Sequence, residues 1–79
     1  MSEVLIDARG HRCPVPSLRL RKAMEGLAPG VRLTLQATDP MARIDVPYLM
    51  ADLGGVVCDV SEQDGVLTIT VETGAAPKG

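Results

Sequence analysis

The period at which apolar residues recur changes along this 79-residue chain, and each change marks an element. Val4-Leu5-Ile6 is a short apolar run without alternation, the pattern of a strand buried on both faces or central in a sheet. From Pro16 onward, Leu20, Ala23, Met24 and Leu27 recur at helical spacing, with Leu18 almost opposite them among Arg21, Lys22 and Glu25. Gly26 and Pro29-Gly30 stop that helix. Residues 31–37 then alternate strictly between apolar and polar, as a half-buried strand does. Thr38-Asp39-Pro40 reads as a helix start, with Asp39 as cap and Pro40 in the first turn. Asp45-Val46-Pro47 reads as a second start. The pattern therefore predicts a single turn over 41–44 and a helix over 47–53, with Val46, Leu49, Met50 and Leu53 inward and Gly54-Gly55 as the stop.

Residues 56–60 and 66–71 form two further strands around Ser61-Glu62-Gln63-Asp64-Gly65, whose Asp-Gly pair is a hairpin signal. Leu67, Ile69 and Val71 face in and Thr68 and Thr70 face out. Cys58 shares the parity of Val56 and Val60, which points it at the core as a buried, inert thiol. The order β-α-β-α-β-β predicts an α+β fold: a two-layer sandwich of a four-stranded mixed sheet with two helices on one face. A right-handed crossover would join the first two strands in parallel. The expected organisation is a single domain over residues 1–73 and a frayed tail over 74–79.

Composition narrows the core and the compartment. Hydrophobic residues make up 46% of the chain but only one residue is aromatic, so the core must be aliphatic. No apolar run approaches the roughly 20 residues of a membrane span, and Met1-Ser2-Glu3 lacks the start of a signal peptide. A cytoplasmic protein with reduced thiols is expected. Two cysteines and one histidine fall short of a four-ligand zinc site, so neither metal nor cofactor is predicted. The net charge of −2 argues against broad nucleic-acid binding, yet it is unevenly spread. Residues 1–30 hold five basic groups (Arg9, Arg12, Arg19, Arg21, Lys22) against three acidic ones, and the remainder holds three basic against seven acidic.

Those basic groups surround the one stretch that carries chemistry, Asp7-Ala8-Arg9-Gly10-His11-Arg12-Cys13-Pro14-Val15-Pro16. Proline suits the first helical turn, so Cys13-Pro14 reads as cap and first turn. Alternatively, Val15 before Pro16 is biased away from the α region, and the helix begins at Pro16 with Cys13 extended just outside. Both readings present the sulfur at the surface. A thiol at a helix N-terminus beside Arg9 and Arg12 is favoured as thiolate, the nucleophilic form. Pro14 and Pro16 remove two backbone donors and act as stiffeners. His11 is a solvated turn residue or a proton acceptor for Cys13.

These residues carry a resemblance. The chain resembles the small TusA-like (SirA-like) sulfur carrier proteins, whose signature is an acidic residue after the first strand, a glycine, C-P-x-P opening the first helix, then D-P and D-I-P. Here these are Asp7, Gly10, Cys13-Pro14-Val15-Pro16, Asp39-Pro40 and Asp45-Val46-Pro47. Two departures stand out. His11 occupies a position where an apolar residue is commoner, and the aromatic often found just after D-I-P is Tyr48, directly behind Pro47.

The resemblance implies a two-layer sandwich in which the Asp39 and Asp45 motif lies close to the cysteine, where its carboxylates could order the loop through Arg9 or Arg12. It also implies a sulfur carrier that takes sulfane sulfur as a persulfide on Cys13 from a cysteine desulfurase or rhodanese-like protein. The sulfur would pass to an acceptor protein in transfer RNA thiolation, molybdenum cofactor synthesis or sulfur oxidation. Arg12, Leu18, Arg19, Arg21, Lys22 and Tyr48 are the candidate partner-binding residues, on a chain expected to be monomeric and to bind neither nucleic acid nor membrane. Two rivals remain: a monothiol redox protein using glutathione, since no C-x-x-C is present, and a non-catalytic RNA- or protein-binding module using the basic helix.

Overall fold

The computed structural model describes residues 3–12 and 15–74. Six elements follow in the predicted order: β1 (Glu3–Ala8), α1 (Val15–Met24), β2 (Arg32–Ala37), α2 (Ala42–Leu53), β3 (Val56–Gln63) and β4 (Val66–Glu72). They form an α+β two-layer fold around a four-stranded mixed sheet of order β1-β2-β4-β3. β1 and β2 run parallel, and β4 is antiparallel to both β2 and β3.

The central strands follow the alternation closely. Leu33, Leu35 and Ala37 of β2 are buried, as are Leu67, Ile69 and Val71 of β4. The register sets Leu33 beside Val71, Leu35 beside Ile69 and Ala37 beside Leu67. Pro16 and Leu20 of α1, with Ala42, Val46 and Met50 of α2, close the core from the helical side. Burying each large aliphatic side chain there contributes about 1.5–3 kcal/mol. On the other face Thr34 and Thr70 bring their hydroxyls within 3.4 Å, so the open face of the sheet is polar at its centre. Asp64 and Gly65 both have positive φ and close the β3–β4 hairpin in two residues, as the Asp-Gly pair predicts.

Several expectations need correction. β1 is an edge strand, not a central one, and Leu5 is 64% exposed on the open face. Its unbroken apolar run reflects one leucine that faces solvent. Leu27 lies beyond the end of α1 and is exposed as well. The turn over 41–44 and the helix over 47–53 are one continuous helix: Asp45 N–H donates to the Met41 carbonyl at 2.8 Å, and α2 runs through Pro47. Pro47 has no N–H for the Arg43 carbonyl, but both residues are exposed, so water can satisfy it.

Cys58 is exposed, against the parity argument. The register shifts between Val57 and Asp59, so Cys58 occupies a bulge and the two-residue period is reset. Val57, and not Val56 or Cys58, is the β3 residue packed against the core.

One buried hydroxyl holds the end of the sheet away from the cysteine loop. Thr73 Oγ1 accepts Val31 N–H at 2.8 Å and donates to the Ala28 carbonyl at 2.6 Å, while its own N–H reaches the Val31 carbonyl at 2.9 Å. The connection between α1 and β2 is thereby tied to the end of β4. Among the described residues no helix is long and apolar enough to cross a membrane.

Candidate functional site

Cys13 and Pro14 lie outside the described residues, so the site is defined by what brackets them. On the N-terminal side β1 ends at Ala8, which is fully buried and anchors the strand end in the core. The chain then turns sharply: His11 N–H donates to the Ala8 carbonyl at 3.2 Å, and Gly10 has φ +84°. Only glycine adopts that conformation without strain. On the C-terminal side Val15 N–H donates to the Arg12 carbonyl at 2.8 Å, and α1 begins at Val15. The helix start thus falls between the two starts read from the prolines. Pro16 stands at its second residue, where a missing N–H breaks no helical bond, and is buried.

The loop is held to the second motif by a residue that sequence reasoning passed over. Gly10 N–H donates to Thr38 Oγ1 at 2.8 Å, across 28 residues of sequence. Thr38 directly follows β2, which lies beside β1 in parallel, so both loops leave the same end of the sheet. Gly10, His11, Arg12, Thr38, Asp39 and Pro40 line an open cleft of about 470 Å³. The first half of the second motif therefore lies against the residues that lead into Cys13. Asp39 accepts Met41 N–H at 3.0 Å through Oδ1, which closes the turn leading into α2, whose own N-cap is Met41. Asp45 is half-buried in the first turn of α2.

The basic residues divide into two groups. Arg9 is committed to Asp7: Nε reaches Oδ1 at 2.8 Å, Nη2 reaches Oδ2 at 2.9 Å, and Arg9 N–H also donates to Oδ1 at 3.1 Å. The hydrogen bonds from Arg9 are the main cause that lowers the Asp7 pKa to about 2, with a smaller contribution from the positive charge of Arg19. Arg9 therefore orders the strand end through Asp7. Arg12 is exposed on the cleft, and Arg19, Arg21 and Lys22 are exposed on α1. Leu18 is 55% exposed among them. Tyr48 is 76% exposed on α2, beside a shallow hollow it shares with Leu49, Ala51 and Asp52.

The family model described as Sulfurtransferase TusA matches residues 4–73. The chain belongs to the TusA sulfur carrier family. It is 40% identical over 72 residues to a Neisseria meningitidis protein named "Putative sulfur carrier protein", covering 91% of this chain and 97% of that one. It is 36% identical over 63 residues to the sulfur carrier protein TusA of Pseudomonas aeruginosa, covering 80% of each. A crystal structure of a SirA-like protein from Desulfitobacterium hafniense superposes with a TM-score of 0.77 at 30% identity, covering 90% of this chain and 97% of that one. The TusA match thus takes in every element of the fold from the body of β1 to the Thr73 latch.

Proposed function

We propose that this TusA-family chain carries sulfane sulfur as a persulfide on Cys13, receiving it from one protein and delivering it to another in a reducing cytoplasm. The observation that carries this reading is the joint between the two motifs. The Thr38 bond to Gly10 and the Val15 bond to Arg12 fix the chain on either side of Cys13 at the edge of an open cleft. The cleft that the described residues line is open to solvent, as exchange with a protein-bound sulfur atom requires.

In the loading step the Cys13 thiolate attacks the terminal sulfur of a donor persulfide. An S–S bond forms on Cys13 as the donor's S–S bond breaks, and the donor leaves as thiolate and takes up a proton. Delivery repeats the exchange: an acceptor thiolate attacks the terminal sulfur, and Cys13 is the leaving group. No net oxidant or reductant is consumed in passing the sulfur. Arg12 on the cleft and the start of α1 at Val15 supply positive potential that favours the thiolate and the persulfide anion. Leu18, Arg19, Arg21, Lys22 and Tyr48 provide the surface that partners contact. A cysteine desulfurase or rhodanese-like protein would be the donor. The acceptor would belong to transfer RNA thiolation, molybdenum cofactor synthesis or sulfur oxidation.

The test is intact mass spectrometry after incubation with a cysteine desulfurase and cysteine. A reductant-reversible gain of about 32 Da, one sulfur atom, is expected in the parent and in Cys58→Ser and not in Cys13→Ser. The Cys58 variant is essential because that thiol is free and exposed, and so is a second place where sulfur would add. An adduct that persists in Cys13→Ser and disappears in Cys58→Ser would reject the reading.

A further inference from the structure

The outer edge of β1 differs from ordinary protected sheet edges. β1 pairs with β2 on one side only, and all six of its residues hold register without a bulge. In a strand with one neighbour, part of the backbone N–H and C=O groups point away from the sheet and can template another strand. Beside that edge, between β1 and α1, lies an open groove of about 440 Å³ lined by Ile6, Val15, Leu18, Arg19, Lys22 and Ala23. Its floor is aliphatic, and among the described residues its only charged lining groups are Arg19 and Lys22 and no acidic residue lines it. Leu18 leaves more than half its surface to solvent there.

We propose that the β1 edge and this groove together dock an extended segment of a partner protein, which adds as a fifth strand and places aliphatic and acidic side chains against α1. The proposal rests on the reading that the chain exchanges sulfur with partner proteins, and it names how one of them is held. An added strand lies about 4.8 Å from β1 and turns alternate side chains toward the helical side. An aliphatic residue on that side meets Ile6, Val15, Leu18 and Ala23. An acidic residue two positions away shares the face and meets Arg19 or Lys22. Main-chain hydrogen bonds then supply affinity, and the groove supplies specificity. Charge complementarity identifies the occupant, because a basic segment would meet two like charges at the rim.

The probe is a synthetic eight-residue peptide with leucine and aspartate alternating along one face and threonine on the other, titrated into the uniformly ¹⁵N-labelled full chain. The expected result is slowed amide exchange at alternate β1 residues with shifts at Ile6, Leu18 and Lys22. Affinity should fall with salt and drop at least roughly tenfold in Arg19→Glu/Lys22→Glu or when lysine replaces aspartate in the peptide. No binding at millimolar peptide, protection at β3 in place of β1, or affinity indifferent to charge reversal would each overturn the proposal. Loading of the parent by a low-molecular-weight persulfide, which requires no docking, is run alongside. Failure of that loading removes the sulfur-carrier reading, whereas loading without peptide binding removes the docking site alone.

Discussion

β1 and β3 both end the sheet, and they do so in opposite ways. β1 is short and in unbroken register, and α1 covers one of its faces, so Ile6 and Ala8 belong to the core. β3 is longer and carries a bulge at Cys58. Asp59, Glu62 and other exposed residues fill most of its length, and Val57 alone packs against the core. Its outer half carries the Arg43–Glu62 ion pair to α2, an exposed pair at 3.1 Å that contributes little. Bulges and charges are the usual means of keeping an edge from recruiting another strand. β3 has both. On β1 the regular edge continues into the Gly10 turn, so the less protected edge is the one beside the joint between Gly10 and Thr38.

The sharpest way to break this comparison is a truncation on each edge. Ile6→Ala should cost about 2–4 kcal/mol in denaturant unfolding, while Val60→Ala on β3 should cost less than about 1 kcal/mol. Equal losses would mean that the edges are alike. Gly10→Ala forces a side chain into a positive-φ turn and should cost roughly 1–2 kcal/mol, with slower persulfide loading measured by mass spectrometry. Thr38→Val removes the acceptor of the Gly10 bond. About 0.5–1.5 kcal/mol is expected, at the low end because Gly10 is exposed, and loading should slow more than stability falls.

The smallest effect concerns acid. The folded Asp7 carboxylate titrates at about 2, below its ordinary 3.8, so its pairing with Arg9 is complete above about pH 4 and is lost as the pH falls toward 2. A carboxyl-carbon NMR titration, with Asp7→Asn to assign the resonance, should place the Asp7 midpoint at about 2, and a midpoint at 3.8 would remove the pairing.

The contrast between edges also explains what could be read from the residues. β2 and β4 are central and one-faced, so alternation alone identified their buried positions. Val4-Leu5-Ile6 misled because an exposed leucine on the open face looks in sequence like a buried one. The Cys58 bulge is a backbone event with no side-chain signature, and it inverted the parity on which burial of that thiol depended. Pro47 looked like a helix start because its place on an exposed face, where a missing hydrogen bond is tolerated, depends on the tertiary structure. At the site, the local turn that Asp39 closes onto Met41 N–H was legible. Thr38 was not, since a lone threonine names no partner 28 residues away. The bidentate grip of Asp7 on Arg9 was also open to inspection, two residues apart at a strand end, and was passed over in favour of more distant carboxylates.

The Thr73 latch bears on how the molecule can be handled. β4 is antiparallel to β2, so Glu72 pairs with Arg32 at the end of the sheet away from Ala8 and Thr38. A strand of this length separates the two ends by about 20 Å. Anything grafted directly after Gly74, whether a purification tag, a fluorophore or a bead, departs from the end of the sheet opposite Gly10 and Thr38. Immobilised through a tag placed there, the chain would keep the open cleft between Gly10 and Pro40 turned away from the support.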